Sequence, residues 1–400
     1  MYKKDADNIV TIFLEPEKKK SDLLNHGYSK ILLGYVESLE NDPELKGVII
    51  TSVENSFLAR YDFEKLFSLN RADKCFEYIE NQKSILRRIE KLGVPVVAAI
   101  NGSSFGLGME LALACNHRIA IQKEANQFEF SEIKHGVFPG YGGIIRLIRT
   151  IGIERSLKIL LSGDRFNTSE AINIGFLDEL ASTNDSMIAK SIQWIKSNQS
   201  VSQSWDHKNF TFPGGNAHES DNPALISLYP AMIKKKTGGN YPAPETILSI
   251  IVEGSLVDFE TACRIESRFF TDLLLKNTTK NILNANWFQL KKIRSGFSRP
   301  DKLSKTTTSK VGVLGAGLMG HGIAYVSAKA GLKVVMIDSN QSNADKGLDK
   351  INNILQSDVK KQNIAKKTLK NIIDKITSSS KYSELDGCDL IIEAVFEQED

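Results

Sequence analysis

Short apolar runs alternate with stretches of helical period along residues 1–185. Residues 8–14 (NIVTIFL), 47–52 (GVIITS) and 94–100 (VPVVAAI) read as strands. The last is nearly continuous in apolar side chains, as a strand covered on both faces must be. Residues 73–92 carry a helical pattern between two of these strands. Strand–helix alternation of this kind predicts an α/β domain. Residues 186–244 are more polar and include PGGNAHESDNP and KKKTGGNYPAP, both loop signals. From 244 to about 298 the pattern is helical and long, ETILSIIVEGSLVDFETACRIESRFFTDLLL and then NILNANWFQLKKI, and 299–309 (RPDKLSKTTTS) reads as a linker. A new strand is expected at Lys310, opening a second α/β domain that runs on to Asp400.

Composition narrows the class. The 400 residues are 41% hydrophobic and 25% charged, an ordinary globular balance. With 51 basic and 48 acidic residues the net charge is +3, which calls for neither a nucleic-acid nor a membrane partner. Cys75, Cys115, Cys263 and Cys388 form no CxxC pair. That disfavours a disulfide scaffold and a zinc ribbon and fits a reducing compartment. No ligand cluster has the spacing of a metal site. The N-terminus MYKKDADNIVTIFLE lacks an apolar core of signal-peptide type, so a cytoplasmic, bacterial-type location is expected. The most apolar long stretch, 94–115, holds Asn101, glycines and Glu110, and reads as core rather than a membrane span.

Two stretches carry chemistry. In residues 94–116 (VPVVAAINGSSFGLGMELALACN) a buried strand ends at Ile100, a glycine turn follows, and an apolar helix begins near Gly106. The start of that helix exposes N–H groups suited to a developing negative charge. Glu110 lies one turn in, and Glu132 precedes a second glycine-rich turn in QFEFSEIKHGVFPGYGG. Two carboxyls beside oriented N–H groups suit proton transfer next to a carbonyl. The same turn also matches GxSxG over residues 102–106. A serine hydrolase would use Ser104 there with one of His117, His135, His207 or His218.

Residues 94–121, with INGxxxGxGxELALACxxRIA, resemble the first signature of the enoyl-CoA hydratase/isomerase (crotonase) family. Residues 128–143, with FxxSExxxGxFPGxGG, are similar to its second. The resemblance implies a spiral of ββα units and syn hydration of a 2-enoyl-CoA to the 3-hydroxyacyl-CoA, with Glu110 and Glu132 activating and delivering water. The Glu132 position is the one the family uses in double-bond isomerisation. The family's oxyanion hole maps to the backbone N–H groups of Ala59, in the FLARYD segment, and Leu107. Arg60 and Leu107 stand where the family usually has glycine. Arg60 is either solvated or in reach of a CoA phosphate. A first domain that binds acyl-CoA or scaffolds a complex without turnover remains the alternative.

In the second region, residues 310–338 read KVGVLGAGLMGHGIAYVSAKAGLKVVMID. A strand runs into Gly315-Ala316-Gly317-Leu318-Met319-Gly320, a helix follows, and a second strand ends at Asp338. Gly315 permits the turn, Gly317 the approach of a pyrophosphate, and Gly320 close helix–strand packing. Asp338 stands where a carboxylate binds a ribose 2′-hydroxyl, so NAD is the expected cofactor. The wording GAGLMGHGIA, with DLIIEAV at 389–395, is similar to the 3-hydroxyacyl-CoA dehydrogenases. That resemblance places Glu393 beside the nicotinamide. The lysine-rich segment 359–376 is either the helical hairpin by which that family touches CoA or a solvated helix pair. His321 is expected to cap or pack within the cofactor turn.

The combined expectation is an α/β chain in four parts. Residues 1–185 form a crotonase-like hydratase/isomerase core. Residues 186–244 are its helical C-terminal part with loops, and 245–309 are linker helices. Residues 310–400 are a partial Rossmann NAD-binding domain. This order is that of multifunctional enzymes of fatty-acid β-oxidation, which implies a CoA thioester substrate and a thiolase β-subunit as partner. The dehydrogenase family's catalytic histidine and its glutamate partner would fall after Asp400, so the chain is expected to be a fragment that hydrates but does not dehydrogenate.

Overall fold

The computed structural model describes residues 2–14, 28–53, 56–58, 61–219, 223–300, 303, 306–360 and 366–395. The chain divides into two compact units, Met1–Ser298 and Arg299–Asp400.

The first unit is built on a six-stranded sheet. Its strands are β1 (Tyr2–Lys4), β2 (Ile9–Leu14), β3 (Gly47–Ser52), β5 (Val96–Ile100), β7 (His117–Ile121) and β10 (Glu179–Ala181), side by side in that order. Only the β1–β2 pair is antiparallel. A second, four-stranded sheet holds β4 (Ser56–Leu58), β6 (Ser103–Phe105), β8 (Gln127–Glu129) and β9 (Phe166–Asn167). The β3–β4, β5–β6 and β7–β8 pairs each send one strand to each sheet, and helices close the turns. This is the expected ββα repeat.

β5 accounts for its own composition. Val96, Ala98 and Ile100 enter one apolar cluster, Val97 and Ala99 another on the opposite face. Successive side chains of a strand point to opposite faces, and both are covered here, so alternation is lost.

Two predicted elements differ from the structure. The turn expected at 101–106 contains strand β6, paired in parallel with β4 and β8, and the helix Leu107–Ala114 begins only after Gly106. The long helical stretch from 244 is broken after Gly254. Asp258 accepts an N–H from Thr261 at 2.9 Å and caps a new helix, Phe259–Leu275. Its predecessor, Pro242–Gly254, starts on a proline at its first position. A further helix, Asn277–Leu283, leads into a π-turn at Asn284–Gln289 and the short helix Leu290–Ser295. These helices belong to the first unit.

The second unit is a parallel sheet in the order β13 (Ile376–Ser379), β12 (Lys333–Ile337), β11 (Lys310–Leu314) and β14 (Leu390–Glu393). The helix Leu318–Lys329 connects β11 to β12. Of the lysine-rich segment, residues 359–360 end the helix Gln341–Lys360 and 366–373 form the helix Lys366–Ile373, where Ile372 is buried; residues 361–365 lie outside the described residues.

Candidate active site and dinucleotide site

The helix Leu107–Ala114 is buried along its whole length. It has no side-chain cap at its start, where Gly106 sits at φ 54°. A Cβ on Gly106 would lie 2.4 Å from Glu132 Oε1, so this glycine provides both the left-handed turn and the space for the carboxyl. Leu107 is the first helical residue, and its N–H has no acceptor within the helix by position. Among the described residues the one non-glycine at positive φ is Asn8, so Leu107 brings no backbone strain where the family has glycine. Ala59 and Arg60, singled out from the sequence, lie outside the described residues.

Glu132 sits in the 3-10 turn Ser131–His135 and lines a cavity of about 600 Å³. Its Oε2 has no hydrogen-bond partner among the described residues. Burial, assisted by the Glu129 charge, raises its pKa to about 8 against an opposing backbone hydrogen bond. Tyr61, Phe105 and Gly106 line the cavity beside it. Aromatic rings of Phe63, His135 and Trp287 form another wall, with Trp287 edge-on to the other two. Lys134, Arg165, Lys291 and Arg294 are exposed at the solvent side of the lining, with Glu132 inside; Lys134 and Arg165 pair with Glu129, which also lines the cavity, and Lys291 pairs with Glu64.

Glu110 lies fully buried one turn into the helix, its own N–H donating to Gly106 O at 3.2 Å. Its Oε2 accepts the Tyr141 N–H at 2.9 Å, while Oε1 has no partner among the described residues. Burial pushes its pKa well above the carboxylate range, with the Glu266 and Glu132 charges adding to the shift and Arg146 opposing it. The structure thus brings Glu110, Glu132 and the start of the Leu107–Ala114 helix together. Two buried like charges repel, so one member of the pair keeps its proton when the other ionises.

The serine alternative fails on geometry. Ser104 lies in the middle of β6 rather than on a strand-to-helix turn. Its side chain is 0% exposed and its Oγ has no partner among the described residues. His117 stacks on Trp194, and His207 contacts Ser202. A GxSxG match built into a sheet strand cannot present a nucleophile.

In the second unit, the Gly315 N–H donates to Ile337 O at 2.7 Å, tying the turn to the end of β12. A Cβ on Gly320 would stand 1.7 Å from Gly315 O, whereas one on Gly317 would meet nothing within 4 Å. The first is close helix–strand packing, the second open space for a ligand. Leu318 and Met319 are 83% and 71% exposed at the start of the helix, where N–H groups favour phosphate. Asp338 follows β12 and accepts the Ala316 N–H at 2.8 Å. Burial raises its pKa, but hydrogen bonds from Ala316 and Ser339 outweigh that and hold it below the usual value. Glu393 pairs in register with Leu314, and its Oε1 accepts the Val395 N–H at 2.6 Å. All of these stand at the carboxyl ends of the parallel strands, where such sheets bind ligands. His321 Nδ1 contacts Gly317 O, so it packs within the turn as expected.

The sequence reading missed Tyr61, Trp287, Glu266 and the four cavity cations. Of these, the stretch NWFQLKKIR carried a signal, aromatic and basic residues interleaved. The others are ordinary residues made special only by tertiary contact.

Comparison with known proteins follows the same division. Residues 6–208 match the enoyl-CoA hydratase/isomerase family, and residues 310–400 match the 3-hydroxyacyl-CoA dehydrogenase NAD binding domain. The fatty acid oxidation complex subunit alpha of Shewanella loihica is 29% identical over 90% of this chain. The chain spans about half, 51%, of that relative's length. Among solved structures, human mitochondrial delta3-delta2-enoyl-CoA isomerase matches with a TM-score of 0.51 and 20% identity, covering 74% of this chain and 98% of the other. The enoyl-CoA hydratase of Bacillus halodurans matches with a TM-score of 0.49 and 21% identity, covering 71% of this chain and 98% of its own. No helix among the described residues is long and apolar enough to cross a membrane. By the extent of the first match and the fold that accompanies it, the chain belongs to the enoyl-CoA hydratase/isomerase family.

Proposed function

We propose that the first unit adds water across the C2=C3 bond of a 2-enoyl-CoA, as a step of fatty-acid oxidation. The observation that carries this reading is the pair of buried carboxyls, Glu132 lining the cavity and Glu110 beside it, at the start of a helix with N–H groups unpaired by position. One carboxylate takes the proton of water as oxygen bonds to C3. The electron pair of C2=C3 moves onto the thioester oxygen, which the Leu107 N–H receives, with the Ala59 N–H proposed as its companion. The other carboxyl then gives its proton to C2. Glu132 alone would serve isomerisation. The exposed cations at the cavity suit the phosphates of coenzyme A.

The second unit would hold NAD. Gly315, Gly317 and Gly320 shape the turn, the Leu318 and Met319 N–H groups meet the pyrophosphate, and Asp338 and Glu393 flank the ribose and nicotinamide ends. NAD when bound supplies the electron acceptor for oxidising a 3-hydroxyacyl-CoA. A thiolase β-subunit as partner and a cytoplasmic location belong to the same proposal; the Shewanella relative's name, a subunit of a fatty acid oxidation complex, supports assembly with a further subunit. Co-purification with such a subunit tests the partner.

Hydration of a short 2-enoyl-CoA by the purified chain is the deciding assay. Glu110→Gln and Glu132→Gln should each lower kcat by about 10²–10⁴-fold, the usual contribution of a placed acid or base. Normal hydration by either variant overturns the role given to that residue. Tight binding of the thioester without hydration by the wild type would favour a binding module.

A further inference from the structure

The helix Gly143–Ile151 begins at Gly142, φ 95°, with no side-chain cap from its own sequence. The cap comes instead from Glu266, on the helix Phe259–Leu275, more than a hundred residues away. Glu266 is 0% exposed. Its Oε1 accepts the Gly142 N–H at 2.7 Å and its Oε2 the Ile145 N–H at 3.3 Å. Lys83 Nζ pairs with Oε1 at 2.9 Å. The adjacent N–H on the same turn, that of Tyr141, is the one Glu110 accepts. A Cβ on Gly143 would come within 2.6 Å of Glu110 Oε2, so this turn is packed directly on the carboxyl.

We propose that Glu266 is a positioning residue for Glu110: from a helix outside both signature stretches, it locks the Tyr141–Gly142 turn onto Glu110 and sets a like charge beside it. This rests on the hydratase reading above. A nearby negative charge favours the neutral carboxyl. Glu266 therefore keeps the proton on Glu110, leaving Glu132 as the member of the pair that ionises. The other groups that face Glu110 are Glu132, Tyr141 and Arg146; Arg146, paired with Glu90 at 2.7 Å, opposes the shift. Behind Glu266 stands Lys83, its partner. Glu266 does not line the cavity, so its effect on substrate binding is small.

The test uses Glu266→Gln, which keeps an oxygen to accept the Gly142 N–H but removes the charge. Glu266→Gln/Lys83→Met removes both charges and guards against an unpaired buried lysine. Two readouts are taken on the full chain. One is the pH profile of kcat and KM for a short 2-enoyl-CoA. The other is infrared titration of the protonated carboxyl band, assigned to Glu110 by its loss in Glu110→Gln. The expected result in both variants is that the Glu110 limb and band move to lower pH by about one pH unit or more, with KM unchanged. A loss of kcat by one factor at every pH, or an unmoved band in a folded variant, overturns the inference. A wild-type chain that hydrates nothing sinks the hydratase reading instead, and the band still decides the role of Glu266.

Discussion

Gly106 and Gly143 share one reason for being glycine, a carboxyl group in the place of their side chains, and Gly106 adds a left-handed turn. A Cβ on Gly143 would meet Glu110 Oε2, Cγ and Cδ between 2.6 and 2.8 Å. Gly143→Ala must therefore displace the carboxyl rather than a flexible chain end. It should lower kcat by about 10²-fold, the effect of a misplacement near 1 Å, and lower stability by about 1–3 kcal/mol. Ser104→Ala is the opposite case. Its buried Oγ has no partner among the described residues, and leaving such a hydroxyl unpaired costs about 1–3 kcal/mol. The alanine variant should hydrate normally and unfold at equal or higher denaturant; loss of hydration would overturn the reading of this hydroxyl as dispensable. Glu132 adds a pH effect on stability. Its pKa rises from an ordinary 4.5 to about 8 on folding, chiefly through burial. Between those values the unfolded chain releases a proton that the folded chain keeps, so stability falls as pH rises. Urea unfolding of the wild type should weaken between about pH 5 and about pH 8, and Glu132→Gln should reduce that slope, leaving the part that Glu110 contributes.

Elements were legible where one residue pattern had one physical outcome. β5 read correctly from its unbroken apolar run because both of its faces are covered. The turn at 315–320 read correctly because each glycine meets a distinct steric demand, close packing at Gly320 and open space at Gly317. Glu110 and Glu132 were reached by resemblance, and the structure adds that one turn of chain brings them together. What the pattern hid has equally physical causes. β6 is three residues long, too short for a period, and shows itself only through pairing with β4 and β8. The break at 255–258 is invisible to apolar period because both helices bury the same kind of face, and only the Asp258 cap marks it. Asp258→Ala should lower stability by about 1 kcal/mol, read from the unfolding midpoint, without changing KM. Glu266 was hidden most deeply, since a capping carboxylate far from the helix it caps leaves no local signature.

At the scale of the whole molecule, the two units carry separate chemistry. The first holds the cavity and both glutamates; the second holds the glycine turn and Asp338. Each has its own apolar cluster. Gly320→Val forces branched carbon into a position where even a Cβ would lie 1.7 Å from Gly315 O, a backbone atom that cannot rotate away. The junction of β11 with the helix Leu318–Lys329 must open. NAD binding, followed by calorimetry, should be lost. Hydration by the same preparation should stay within about two-fold of wild type, because each unit has an apolar cluster of its own and distant sites respond independently. Asp338→Asn supplies the milder control. It removes only the charge at the ribose end and should weaken NAD binding by about ten-fold, the scale of one charge-assisted hydrogen bond. If Gly320→Val abolished hydration together with NAD binding, the first unit would depend on the second for its fold. The chain would then have to be treated as one cooperative folding unit rather than two that fold independently.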